Sequence, residues 1–355
     1  MDDFQNNFFS PLTFLITLIL LILAQYFWTR NFGLNMDNED GIQKILTKPS
    51  IRAGGFTAFL SIFFYCIFFA NLSSNYLTIF FSLLPVFCVS FIEDLGRPVK
   101  PNLRLLAIFT SSFLIVSYTE TFLGTMDIIW VNKLLKVYAI SFVFTVIGIS
   151  ATSNAWNFVD GLNGLSSGLS IVILLFFSFL AFQNSMFELG VFLSIISSSI
   201  FSFWLLNVIF GRIVLGDTGA YLIGIIIGWS GVKISMSYES VSAWVIFFII
   251  LYPATELSFT ILRRIIAKKS PFDPDNLHLH SLFYDYFTAK FSRLSSQIAN
   301  SFCGFIITIY GSLPVFIYFR LNDLFPNIFY SIIIYVLSYI LIYFILIYRY
   351  ANKRL

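Results

Sequence analysis

A few polar clusters carry the chemistry open to this sequence. The longest is Asn154–Gly168, NAWNFVDGLNGLSSG, where Asn154, Asn157 and Asp160 recur every three residues. On a continuing helix they would lie near one face. Gly161 and Gly164 behind them either let backbone approach a bulky ligand or turn the chain into the next segment. Glu93 and Asp94 are adjacent carboxylates closing an apolar run. They repel each other at the unfavourable pole of a helix, so they call for Arg97, Lys100, Arg104 or a divalent cation as compensation. Asp217, in GRIVLGDTG after Asn207, can cap the following helix through Thr218 or Gly219, or offer its oxygens to Mg²⁺. His278 and His280 are the only two histidines, in PDNLHLHSLFYDY. They share a side on an extended segment and diverge on a helix. With no cysteine nearby, hydrogen bonding or contact with a phosphate suits them better than Zn²⁺. Lys48 and Arg52 precede a glycine pair that opens an apolar run, which makes either a phosphate seat or a basic anchor at a membrane edge. Glu256 lies inside an apolar run about two turns before Arg263 and Arg264, as a functional candidate or a pairing with a neighbouring helix.

The elements that must position these residues are membrane spans. The chain of 355 residues is 58% hydrophobic and only 11% charged, whereas a soluble domain carries about a quarter charged residues. The pattern predicts an all-α polytopic membrane protein of about eleven spans, at roughly 11–29, 55–71, 75–92, 103–119, 135–152, 165–182, 187–207, 218–235, 242–262, 298–318 and 327–347. Of the 21 basic residues, all but Lys133, Lys136, Lys233 and Arg320 fall after odd-numbered spans or in the C-terminal tail. The positive-inside rule then puts the N-terminus outside and the C-terminus in the cytoplasm. The basic excess follows from topology, so nucleic acid is not implied. The acidic start and span-length first apolar run predict no cleaved signal. Cys66, Cys88 and Cys303 fall within spans without a ligand or disulfide pattern and read as small core hydrophobes. We expect a single integral-membrane domain over 1–355, with cytoplasmic loops at about 30–54, 93–104, 153–164, 208–217 and 263–297 holding nearly every unusual polar residue. A site at the cytoplasmic membrane surface follows, with one soluble polar substrate and one lipid.

In this order and spacing, Glu93-Asp94 with Arg97 and Arg104, NAWNFVDGLNGLSSG, Asn207 with LGDTG, and the late HLH resemble the polyprenyl-phosphate N-acetylhexosamine-1-phosphate transferases. That superfamily, glycosyltransferase family 4, includes the phospho-MurNAc-pentapeptide translocase. The resemblance covers roughly residues 30 to 290. It implies transfer of a sugar-1-phosphate from a UDP-N-acetylhexosamine to undecaprenyl phosphate, releasing UMP, in the bacterial inner membrane with Mg²⁺ or Mn²⁺. It implies catalytic roles for Glu93, Asp94, Asp160, Asp217 and His278, with Asp217 as metal ligand. It implies substrate contacts for Lys48, Arg97, Arg104, Asn154, Asn157, Asn163, Asn207, Arg263, Arg264 and His280, and is compatible with a homodimer. Three positions depart from the pattern: Glu93 stands for Asp, Asn163 for a frequent second Asp, and Ser281 for a third His. The variant pattern is closer to O-antigen and capsule initiators than to the MurNAc-pentapeptide enzyme, which is the alternative within the family.

From another class, a secondary transporter would place its site near the midplane, with broken helices and internal repeats. Here the polar residues crowd one surface and no repeat is visible. A CDP-alcohol phosphotransferase would need a D-G-x-x-A-R type acidic array, and Asp160-Gly161 is followed by Leu162-Asn163-Gly164.

Overall fold

The computed structural model of the protein describes residues 51–52, 54–69, 75–237, 241–270, 275–320 and 327–353. Among them, all regular structure but one short bridge is helical. The helices are α1 Gly54–Phe69, α2 Asn75–Asp94, α3 Pro101–Thr119, α4 Ile129–Leu135, α5 Tyr138–Phe158, α6 Leu165–Gln183, α7 Phe187–Phe210, α8 Gly216–Ser237, α9 Ala243–Ile249, α10 Leu251–Ile266, α11 Leu279–Lys290, α12 Ser296–Tyr318 and α13 Asn327–Lys353. Eight helices among the described residues are long and apolar enough to cross a membrane, or nine if the pair α9 and α10 is one span. The protein is therefore an all-helical polytopic membrane protein. The expected span at 11–29 lies outside the described residues, and the one expected at 55–71 is the 16-residue α1.

Two differences from the expected spans bear on the site. The run at 242–262 is not one rod: α9 and α10 meet at an angle of 76°. Pro253 enters in the first turn of α10, where its missing N–H and its ring oppose continuation of the preceding helix. The polar stretch after α10 also contains a helix of its own, α11.

Helix α8 is the axis of the bundle. It buries residues on every side from Gly216 to Gly231, as a helix enclosed by others must, and α5, α1, α2 and α6 pack around it. Helix α1 crosses it backbone to backbone, and a Cβ on Gly55 would stand 2.2 Å from the Gly219 nitrogen. Only glycine permits that approach. The crossing is fixed by a parallel bridge of β1 (Ile51–Arg52) with β2 (Ile213–Val214) and by the Gly55 N–H donating to the Leu215 carbonyl at 2.9 Å. Arg52 is thereby carried to the start of α8. Inside α2, Pro85 cannot donate to the helix ladder. The next N–H, of Val86, donates instead to the Ser111 hydroxyl of α3 at 3.0 Å, which holds together the two helices carrying Glu93-Asp94 and Arg104.

Candidate active site

The C-terminus of α2 points at the N-terminus of α8, and Asp94 joins them. Its Oδ1 accepts the Asp217 N–H at 3.0 Å and its Oδ2 accepts the Thr218 N–H at 2.9 Å. The carboxylate, only 5% exposed, thus satisfies two of the orphan donors that open a helix and sits at its positive pole. Gly216, at φ 76°, makes room for it, since a Cβ there would meet Asp94 Oδ2 at 2.7 Å. Asp217 therefore does not cap its own helix; Asp94 caps it from across the bundle. The Arg52 guanidinium lies 3.5 Å from Asp94 Oδ1.

Asp217 is left free to point outward. Arg104, one turn into α3, reaches Asp217 Oδ2 at 2.8 Å and Glu93 Oε1 at 3.1 Å with the same Nη1. Asn157 donates its amide to Asp217 Oδ1 at 3.2 Å. Among the described residues, Glu93 Oε2 is buried without a hydrogen-bond partner. Of the cations proposed to compensate the acidic pair, Arg104 does so for Glu93. Arg97 and Lys100 are exposed and make no ion pair among the described residues.

Helix α5 ends at Phe158, so Asn154, Asn157 and Asp160 do not share one continuing helical face. Asn154 turns back to donate to the Ser150 carbonyl at 2.9 Å, Asn157 meets Asp217, and Asp160 lies in the turn beyond. Burial, then the charges of Asp217 and Asp94, push the Asp160 carboxyl up to about 8 against the pull of Arg52. The same turn is tied down from behind. Asn207 accepts the Gly164 N–H on Oδ1 at 2.6 Å and donates to the Ile213 carbonyl at 2.6 Å and to Asn163 Oδ1 at 3.4 Å. Asn300 of α12 accepts the Asn163 N–H at 2.7 Å. Asn163 and Asn207 are both buried and face this scaffold.

The histidines reach the turn from the other side. His278 and His280 lie parallel, ring centroids 5.3 Å apart and planes at 7°, because His278 is the extended residue before α11 and His280 its second residue. His280 packs on Gly161, where a Cβ would stand 2.1 Å from Nε2. A close approach at Gly161 is realised by this imidazole. Burial holds His280 down at about 4, with the Glu256 carboxylate opposing and the neighbouring His278 adding. His278 Nδ1 lies 3.0 Å from Oε1 of the fully buried Glu256, and its ring meets Phe158 edge-on at 5.8 Å.

Arg263 and Arg264 are both engaged by Asp275: Arg263 Nη2 reaches its two oxygens at 2.9 and 3.1 Å, and Arg264 Nε donates at 2.9 Å. These hydrogen bonds and the Leu277 N–H outweigh burial and hold the Asp275 carboxyl well below the usual range. Arg264 also lies over the Phe158 ring at 5.4 Å. Asp275 escaped the sequence reading, since nothing in its spacing distinguishes it from other loop acids; the role of Arg52 beside Asp94 depends on the β bridge. Lys48 lies outside the described residues. Cys88 is exposed, while Cys66 and Cys303 are buried. Among the described residues no three His, Cys, Asp or Glu side chains gather as a metal cluster. A Mg²⁺ site shared with substrate phosphates needs only one or two carboxylates. Asp217 beside the unpartnered Glu93 Oε2 supplies that donor set.

Residues 76–235 match the family described as glycosyl transferase family 4. A phospho-N-acetylmuramoyl-pentapeptide-transferase of Clostridium botulinum is 27% identical over 205 residues, 54% of this chain and 62% of the relative. One of Staphylococcus carnosus is 27% identical over 76% of this chain and 88% of its own length. An undecaprenyl-phosphate alpha-N-acetylglucosaminyl 1-phosphate transferase of Thermotoga maritima is 33% identical over 40% of this chain and 42% of the relative. The chain thus spans less than two thirds of the first and third of these relatives. The matched stretch holds Glu93, Asp94, Arg104, Asn157, Asp160 and Asp217, so the residues of the candidate site lie within the part of the chain that is similar to glycosyl transferase family 4.

Proposed function

We propose that the protein transfers an N-acetylhexosamine-1-phosphate from a UDP-sugar to undecaprenyl phosphate at the cytoplasmic face of the bacterial inner membrane, releasing UMP and initiating a lipid-linked glycan. The observation that supports this most is the meeting of Glu93, Asp94 and Asp217 with Arg52 and Arg104 at adjoining helix ends. Such a group suits phosphates at a membrane edge better than a solute at the bilayer midplane.

An oxygen of the lipid phosphate attacks the sugar-linked phosphorus, and the bond from that phosphorus to the UMP oxygen breaks. The attacking phosphate is mostly dianionic near neutrality, with a second pKa of about 6. Positioning and charge neutralisation therefore matter more than a general base. Asp217 with Glu93 would hold Mg²⁺, which neutralises diphosphate charge and polarises the phosphorus. Asp94 positions Asp217 by capping α8, and Asn157 and Arg104 orient its two oxygens. Both oxygens of Asp94 being engaged, direct displacement is favoured over a covalent intermediate on that residue. Arg52 and Arg104 are the cations nearest the transferred charge, and Asn163 and Asn207 hold the Asp160 turn in place.

The test is purified protein with undecaprenyl phosphate and a panel of UDP-sugars, with and without Mg²⁺ or Mn²⁺. UMP release that requires both lipid and metal is expected. Uptake of a UDP-sugar by proteoliposomes lacking the lipid would overturn the reading in favour of transport. The Staphylococcus carnosus relative, matched over most of its length, supports phospho-MurNAc-pentapeptide transfer as the second reading, which the same panel separates.

A further inference from the structure

Glu256 lies outside the family-matched stretch, fully buried in α10 just past the 76° bend. An acid so placed needs partners for both oxygens. Its Oε1 takes His278 Nδ1 at 3.0 Å and the Leu279 N–H at 3.3 Å, and its Oε2 accepts the Tyr339 hydroxyl at 2.9 Å. A carboxylate accepts only, so Nδ1 is the protonated nitrogen of His278. Its Nε2 then faces Asp275 Oδ1, 3.9 Å away. The His278 ring lies flat on His280, and His280 lies on Gly161, next to Asp160.

We propose that Glu256 is a positioning residue for the active site, clamped by Tyr339 of the C-terminal helix. It fixes the tautomer and rotation of His278 and, through the stacked His280, the turn that carries Asp160. The proposal rests on the transferase reading for its kinetic consequences, while its structural core can be read without turnover. With both oxygens taken by protein groups, Glu256 acts through His278, as the buried carboxylate behind a functional imidazole does elsewhere. The seat of Tyr339 makes α13, otherwise an outer helix, part of the support for the site.

Because the chain holds only two histidines, ¹⁵N-histidine labelling reports two rings without ambiguity. In the full-length protein in detergent, His278 should show a protonated Nδ1 with a strongly downfield proton, and Glu256→Gln should move that signal. In the transfer assay Glu256→Ala should lower kcat roughly 10–100-fold, the usual range for a group that orients a functional imidazole. Its KM for the UDP-sugar should change less than about threefold, and Tyr339→Phe should show a smaller effect of the same kind. The double variant Glu256→Ala with His278→Ala should be no slower than His278→Ala alone, because residues acting in series are not additive. If Glu256→Ala does not fold, Tyr339→Phe and the Glu256→Gln spectrum still decide. An unchanged His278 spectrum in Glu256→Gln, or additive losses in the double variant, would overturn the proposal. A wild-type protein without turnover but with the expected spectrum would remove only the transferase reading.

Discussion

Replacing Asp94 with Asn separates two roles that a carboxylate in this position could have. The side chain accepts two backbone N–H groups that open α8, from Asp217 and Thr218. Hydrogen bonds to a charged acceptor contribute about 1.5–3 kcal/mol each, and a neutral one about 0.5–1.5 kcal/mol. Asn keeps one neutral bond and turns its own NH₂ toward the second N–H, so the expected loss is about 2–5 kcal/mol. At about 2 °C per kcal/mol for a chain of this length, the melting temperature should fall by about 4–10 °C. Turnover should fall with it, because Asp217 rides on the turn that Asp94 holds. The assay is thermal unfolding in detergent beside UMP release, with Asp94→Ala expected to melt lower still. Were Asp94 a nucleophile whose cap contributed nothing to stability, the Asn variant would lose turnover and keep its melting temperature. A melt within about 1 °C of wild type refutes the capping argument.

Further expectations follow from the same geometry. Asp217→Asn should abolish turnover at every Mg²⁺ or Mn²⁺ concentration; full activity in that variant would remove the metal assignment. Gly161→Ala drives a methyl group into the His280 ring, at a cost of about 1–3 kcal/mol; His280→Ala in the same protein should restore the melting temperature. His280, held down at about 4 by burial, makes stability pH-dependent. Its folded pKa lies below the unfolded value of about 6.5, so the unfolded chain takes up the proton first and stability falls as pH drops from about 6.5 to 4. The loss is on the order of 3 kcal/mol and complete below about pH 4. His280→Gln should flatten that part of the melting-temperature profile relative to wild type.

Composition made most of the spans legible, because lipid imposes one rule on every segment that crosses it. The polar clusters were legible for the same reason: Asp, Asn and Gly are conspicuous against an apolar chain. Partnership was not legible. Glu93, Asp94 and Asp217 carry the same chemistry in sequence, yet Asp94 serves backbone amides, Glu93 leaves an oxygen unpartnered, and Asp217 faces Arg104. What distinguishes them is which helix end each one meets, set by Gly55 against Gly219, Pro85 in α2 and the bridge of Arg52 with Val214.

The bend at Ile250 illustrates the limit differently. Hydropathy reads 242–262 as one span, since an average over a window is blind to direction. Pro253 stands in the first turn after the break, and the break sends α10 to where Glu256 can meet His278 and Tyr339. These three are separated by 22 and 61 positions in the chain, and nothing in that spacing pairs them. An acid buried among apolar residues still announces that partners exist, because its desolvation must be offset. Sequence thus identifies the need, and only the fold identifies who meets it. The same reasoning makes the bend itself part of what seats the His278 ring: straightening α9 into α10 would withdraw Glu256 and leave that ring without its carboxylate acceptor.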